Sequence, residues 1–322
     1  MTEARLSALP RFLLKRLGLA LMTLLLVSML VFATAQLLPG DLGRTILGPY
    51  ASEEQVAEVN DRLGEDEPAP IRYLEWLSRF VQGDWGTSAA LQQPVRPLVL
   101  DRLGNSLLLA LYALALAVPV SLALGMLAAR RRGRPLDAAV STSAVALLAL
   151  PEFVVGTILS IVFAVELGWF PVSAAVPDDA VSFFHELTLP AVVLALVLFG
   201  SLARVARASA IVALDADYTR TATLKGLRSR SVLGRHVLPN VLPPAIAAVG
   251  AHVGYLVGGI VVVETLFAYP GLGKLLLDSA RAHDLAPLEA CVLATAIVVM
   301  LANLAADVAA SALDPRLRRA PL

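Results

Sequence analysis

Residues 106–134 read SLLLALYALALAVPVSLALGMLAARRRGR, a run of 24 residues from Ser106 to Ala129 without a formal charge, followed at once by Arg130-Arg131-Arg132-Gly133-Arg134. About 20 mainly apolar residues in a helix cross the roughly 30 Å hydrocarbon layer of a bilayer. Arginines gathered at one end of such a run mark the side that stays in the cytoplasm. This single stretch predicts a membrane-spanning helix and its direction.

Working outward, five more stretches approach the same length: Leu17 to Leu38, Ala138 to Val165, Leu189 to Leu214, Val241 to Val263 and Pro287 to Leu313. In the third of these, Arg204 and Arg207 leave only Leu189 to Ala203 free of charge, and both arginines are expected to snorkel from a last turn that projects into the cytoplasm. The first stretch follows Arg11, Lys15 and Arg16 as a signal-peptide core would, but it is longer than the usual core of about 7–15 residues and no small-x-small site follows it. It is expected to remain as an anchor.

Composition agrees with a polytopic membrane protein. Of the 322 residues, 57% are hydrophobic and 16% charged, against roughly 25% charged in soluble domains. The 26 Lys+Arg cancel the 26 Asp+Glu, so net charge points to no nucleic acid or other polyanion and only the distribution of sign is informative. Placing the N-terminus, residues 129–137, residues 204–240 and the C-terminal tail on one side gathers 18 of the 26 cations there. That side is cytoplasmic by the positive-inside rule. Both termini are then inside, and Arg316, Arg318 and Arg319 in the tail agree.

Between the first two spans, residues 41–101 hold 11 acidic residues and prolines at 49, 68, 70, 94 and 97, the makings of a folded external segment. Ile71, Leu74, Leu77/Ser78 and Val81 around Trp76 predict a short amphipathic helix near the interface. Gly83-Asp84-Trp85-Gly86-Thr87-Ser88 reads as a turn, with Trp85 and Trp169 as interfacial anchors. The expected divisions are 1–38 for the N-terminus and first helix, 39–104 outside, 105–313 for a five-helix core and 314–322 for a cytoplasmic tail.

Residues 215–240 are too elaborate for a minimal connector. Asp215 and Asp217 suit a helix start, Gly226 suits its end, and a second short helix would run to Leu238 before Pro239. Leu214, Tyr218, Thr221/Ala222 and Lys225 would share one stripe. With cations at 220, 225, 228, 230 and 235, the segment reads either as a docking element on the inner face or as an interfacial loop that touches only anionic lipid.

Tyr218-x-Arg220-Thr221-Ala222-x-x-Lys225-Gly226-Leu227, then Arg235-His236 and Asn240, resembles the coupling motif of binding-protein-dependent ABC importers, in the form used by the dipeptide/oligopeptide/nickel permeases. Further stretches resemble the same family in order: Leu38-Pro39-Gly40-Asp41, Gly83-Asp84-x-Gly86-Thr87-Ser88, Leu167-Gly168-Trp169-x-Pro171, Leu189-Pro190-Ala191, Glu264-Thr265-x-Phe267-x-x-Pro270-Gly271-Leu272-Gly273 and Leu313-Asp314-Pro315-Arg316. The resemblance covers essentially the whole chain and is greatest to the first of the two permease subunits. Arg220-Thr221 stands where the broad motif has Glu-Ala, and Pro239 with Pro243-Pro244 is an unusual density of proline for the start of a span.

The resemblance implies an all-α membrane protein of six helices, with an external loop domain after the first and a cytoplasmic coupling helix between the fourth and fifth. It implies placement in the cell (inner or plasma) membrane and a function as one half of an ATP-driven path for peptides or similar small solutes. The implied partners are a second homologous permease, two cytoplasmic ATPase subunits that bind ATP and Mg, an extracytoplasmic solute-binding protein and membrane lipid. Asp217, Tyr218, Arg220, Thr221, Ala222, Lys225, Gly226, Leu227, Arg235 and His236 would carry the coupling.

No catalytic chemistry is expected in the chain itself. Gly273-Lys274 is the nearest approach to a phosphate-binding loop, but Ala268 stands where glycine is required and Leu275 follows. The four histidines lack metal spacing, and a single cysteine, Cys291, excludes an intrachain disulfide. No cofactor or metal is expected. Glu152 behind Pro151, inside the third span, is either a solute contact or a carboxylate paired with a neighbouring helix or held protonated. Glu264 and Thr265, with Pro270, Gly271 and Gly273, are read as bordering the external mouth, or as a fixed loop. Gly250, Gly254 and Gly258 form a small-residue face for a close helix, from this chain or from the second permease. A secondary transporter driven by an ion through Glu152 or Asp307 is the alternative, and it predicts inverted repeats that the sequence does not display clearly. A membrane scaffold would not need the glycine-broken loop.

Overall fold

The computed structural model describes residues 3–37, 52–54 and 68–313, with side chains over 16–34, 52–54 and 68–309. Eleven helices account for most of them, and among the described residues the only β pairing is an isolated bridge between Thr87 and Pro94. In chain order they are α1 (Glu3–Leu37), α2 (Ala69–Gln82), α3 (Val95–Arg130), α4 (Pro135–Ala149), α5 (Glu152–Leu159), α6 (Ala180–Asp215), α7 (Asp217–Leu224), α8 (Ser229–Val232), α9 (Leu238–Leu266), α10 (Leu272–Arg281) and α11 (Leu285–Leu313). Wider π turns extend α5 over Ser160–Glu166 and join α8 to α9 over Leu233–Val237. Helices dominate because a backbone in hydrocarbon must satisfy its own hydrogen bonds.

Five helical stretches are long and apolar enough to cross a membrane, and a bent pair, Pro135–Ala149 with Glu152–Glu166, brings the total to six if it is one span. The expected third span is therefore broken. Pro151 disfavours helical backbone at the residue before it; Leu150 is extended, and the axis turns by 107°. The fourth span is longer than the charge-free run suggested, because α6 starts at Ala180 on an Asp179 cap that accepts from the Ser182 amide at 2.7 Å. That bond holds the exposed Asp179 carboxyl below its ordinary range.

The chain divides into two compact units that do not follow its linear order: Met1–Phe12, Leu107–Tyr269 and Val299–Leu322 in one, Leu13–Ser106 and Pro270–Val298 in the other. In the first, α6 is the central helix, with 72% of its apolar window buried. Apolar side chains gain nothing by leaving lipid for a protein interior, so close backbone approach supplies the packing. A Cβ on Gly125 would sit 2.8 Å from the Ala203 carbonyl oxygen, and one on Gly200 would sit 2.8 Å from that of Ala144. Alanine at either position would force α3 or α4 away from α6.

In the second unit, α2 packs an aromatic face, Tyr73, Trp76 and Phe80, toward Phe32 and Trp85. Ser28 and the Tyr73 hydroxyl share a 2.7 Å hydrogen bond. The expected stripe Ile71, Leu74 and Val81 faces outward, 47–79% exposed, as suits an interfacial helix. Trp85 stacks 4.7 Å from Phe80 and donates its indole N–H to the Phe80 carbonyl. Trp169 is 60% exposed. Asp284, buried, accepts from Ser88 Oγ and from the amides of Ala89 and Ala90, which ties the Gly83–Ser88 turn to the start of α11. The quoted Leu38–Asp41 motif, the Asp314–Arg316 motif and the tail arginines lie outside the described residues.

Candidate functional site

Helix α7 follows α6 after a single extended residue, Ala216, with Asp217 in its first turn, where the helix dipole favours an acid. Thr219 Oγ1 donates to the Ala213 carbonyl at 2.7 Å, which satisfies an end carbonyl of α6 and fixes α7 against it. The helix closes by a two-bond cap: the Gly226 amide donates to the Thr223 carbonyl and the Leu227 amide to that of Ala222. Gly226 itself lies at φ +76°, where a side chain is strained.

Only Thr219 and Ala222 of α7 are buried, so the expected stripe splits: Tyr218, Thr221 and Lys225 lie on the outer face and Ala222 packs inward. Arg220, Thr221, Lys225 and Gly226 are exposed. So are three apolar side chains: Tyr218 at 43%, Leu224 at 80% and Leu227 at 41%. The second half differs from expectation. Pro239 does not end a short helix; the chain runs from Ser229 to Leu266 as one helical stretch. A proline clashes with the carbonyl four residues back, and the π turn at Leu233–Val237 widens the helix where that carbonyl lies. Arg235 is exposed, while His236 Nδ1 is shut off from solvent without a hydrogen-bond partner.

The sequence reading missed the clamp beneath this loop. Arg207 donates Nε and Nη2 to the two carboxylate oxygens of Asp137, and the Gly133 amide donates to the same group at 3.0 Å. Arg207 does not snorkel; it joins the 130–134 turn and α4 to α6. Partners 70 residues apart leave no local spacing to recognise.

The pore candidates separate. Glu152 opens α5 beside α9, shares a hydrogen bond with Tyr255, and borders an open cavity of about 480 Å³. Glu264 is fully buried, so it borders no water within this chain. Nearby Tyr269 is buried as well, and burial together with the Glu264 charge pushes its hydroxyl up to about 12. Thr265 is the exposed member of that pair. In the other unit, Asn105 donates to the Pro270 carbonyl and the Leu272 amide donates to Ser106 Oγ, both at 2.8 Å, so Pro270, Gly271 and Gly273 open α10 instead of forming a free turn. The glycine face also splits. A Cβ on Gly250 would lie 2.5 Å from Ala306 Cβ of α11, whereas Gly254 and Gly258 face nothing within 4 Å. Among the described residues no group of three or more His, Cys, Asp or Glu comes together as metal ligands.

Residues 121–319 match the family described as binding-protein-dependent transport system inner membrane component, and residues 9–110 match the N-terminal model for such membrane components. The chain belongs to this family. It is 36% identical over 307 residues to a putative peptide transport system permease protein of Brucella abortus, covering 95% of this chain and 98% of that one. The oligopeptide transport system permease protein AppB of Bacillus subtilis is 35% identical over 311 residues, and the glutathione transport system permease protein GsiC of Salmonella typhi 36% over 307. Each of those alignments covers 95% of this chain and 98% of the relative. This permease is therefore a membrane component of a binding-protein-dependent ABC importer, and its long apolar helices are membrane spans.

Proposed function

We propose that the permease forms one half of the translocation path for peptides or chemically similar small solutes and couples to ATPase subunits through residues 215–238. The relatives named for peptide, oligopeptide and glutathione transport support the solute class. The observation that carries the coupling is the outer face of α7: a capped, rigid helix that offers Tyr218, Leu224 and Leu227 to solvent between Arg220 and Lys225. Burying apolar groups of this size is worth about 1.5–3 kcal/mol each, and lipid contact alone would not need the helix to be braced by Thr219. The ATPases would bind ATP and Mg, a second permease would complete the path, and an extracytoplasmic binding protein would deliver solute. The membrane is the inner or plasma membrane, with both termini and residues 215–240 in the cytoplasm and residues 41–101 outside.

The test is co-purification with the ATPases and binding-protein-dependent uptake in proteoliposomes. Leu224→Asp with Leu227→Asp is expected to abolish ATPase association while leaving the permease folded. Retained association and uptake would refute the docking assignment. An impermeant thiol reagent applied outside cells should label a cysteine at Ser52 and miss one at Ser229; the reverse would overturn the orientation.

A further inference from the structure

We propose that the groove at Glu152 binds a primary ammonium group carried by the solute, an assignment that rests on the import reading above. The groove is built around a carboxylate. Pro151 breaks the span, and Glu152 is the first residue of α5 after the break, where its charge complements the helix N-terminus. Tyr255 donates to it from α9. Opposite, α9 is hollowed: a Cβ on Gly259 would lie 3.0–3.2 Å from both carboxylate oxygens and the carbon between them. Any larger residue there would push the carboxylate aside by a few tenths of an ångström or more.

The rest of the site is open and free of cations. Gly254 and Gly258 leave that wall as bare backbone, with nothing within 4 Å of a built Cβ. Phe153 and Tyr255 stand at the edge, 57% and 56% exposed. No basic residue lines the cavity of about 480 Å³, a size that admits the head of a small solute. A carboxylate accepts at about four lone-pair sites, so one tyrosine bond leaves acceptor sites facing the open cavity, in a span where an unpaired charge is costly. An ammonium group supplies three compact donors and the opposite charge, and aromatic faces at the mouth favour it further. Neutral donors would satisfy only the hydrogen bonds. Anions would be repelled.

The ammonium could be a peptide N-terminus or a lysine side chain, and the two can be told apart. In the full-length chain assembled with its paired permease in nanodiscs, Cys291→Ser with Phe153→Cys places one thiol at the mouth. A trimethylammonium methanethiosulfonate should react roughly tenfold faster than the anionic sulfonate reagent, from the attraction of one carboxylate across several Å at intermediate dielectric. Glu152→Gln should remove the preference; Tyr255→Phe, which keeps the carboxylate, should preserve it. Tri-alanine should slow the cationic reaction if N-termini bind, and N-acetyl-lysinamide if side-chain ammonium binds, while N-acetyl-tri-alanine should do neither. Overturning results would be a preference unchanged in Glu152→Gln, equal protection by the acetylated peptide, no protection by either amine, or a thiol inert to both reagents, which would mean that protein fills the groove. Because these rates require neither ATP nor uptake, they stand apart from any failure of the import reading.

Discussion

Gly226 offers the sharpest test of the coupling loop, because its environment isolates one cause. At φ +76° the backbone is in the left-handed region, and a Cβ there would meet nothing within 4 Å. Replacement therefore costs backbone strain and no steric clash. Left-handed backbone costs an ordinary residue about 1–2 kcal/mol. A fraction of that, about 0.4–1 kcal/mol, is returned because the unfolded chain becomes less flexible. Gly226→Ala should then weaken the capped loop by about 1 kcal/mol, or a fewfold in ATPase affinity. Gly226→Val, whose branched side chain tolerates this region worst, should lose tenfold or more, since about 1.4 kcal/mol is a factor of ten. Gly226→Asn should lie near wild type, because asparagine occupies such caps naturally. The measurement is calorimetric titration of the ATPases onto nanodisc-embedded permease, with uptake per ATP hydrolysed alongside. Wild-type affinity and uptake in Gly226→Val would refute the argument, and an asparagine as damaging as valine would replace the backbone explanation with one of side-chain size.

Three further outcomes are expected. Gly250→Ala should lower the thermal stability of the purified chain by about 1–3 kcal/mol, because its Cβ would lie 2.5 Å from Ala306 Cβ; Gly254→Ala should leave stability unchanged. Asp137→Asn should cost about 2–3 kcal/mol in denaturant unfolding, below the roughly 3–5 kcal/mol of a fully buried pair because Arg207 is 29% exposed, and Asp137→Leu combined with Arg207→Leu should recover much of the loss. A cysteine at the exposed Thr265 should change its reactivity toward an impermeant reagent when the ATPases are trapped with ATP; constant reactivity in a transporting complex would exclude this residue from the moving part of the path.

Long-range features were the ones hidden in the sequence. Apolar run length and arginine placement reveal spans because both are local and the bilayer fixes the length. The helix end at Gly226 was legible for the same reason: the glycine that permits the left-handed cap follows directly on the helix it closes. Nothing in the local sequence marks Asp137, since its partner Arg207 lies in another helix. The glycines of α9 share one spacing, yet Gly250 meets α11 and Gly254 meets open space, a difference set by the crossing of helices and not by their pattern. Glu264 was expected near water because a carboxylate is costly without it; the fold instead encloses it with Tyr269. Pro239 misled in the opposite direction, since a π turn lets the helix pass a proline that α-helical geometry would not accommodate.

The loop and the ammonium groove share one piece of backbone. The stretch Ser229–Leu266 has 38 residues, or about 57 Å at 1.5 Å per residue, nearly twice the hydrocarbon thickness of roughly 30 Å. In the proposed orientation its first turns stand inside the cytoplasm beside α7, and Tyr255 and Gly259 lie in its other half. A tilt of about 5° about the middle of a rod that long moves each end by roughly 2.5 Å. Tyr255, about 11 Å beyond the middle, moves by roughly 1 Å; an O–H···O bond runs at about 2.7–2.8 Å and fades beyond about 3.5 Å, so a shift of that size along the bond is enough to part Tyr255 from Glu152. The weak points of the rod are concentrated at the cytoplasmic end, in the π turn at Leu233–Val237 and at Pro239, Pro243 and Pro244. From Ala245 to Leu266 no proline interrupts it. A movement of the ATPases would therefore be partly absorbed next to the loop, and whatever passes Pro244 would arrive at the groove as displacement of a stiff helix, loosening the carboxylate from its tyrosine in the same stroke that opens the path.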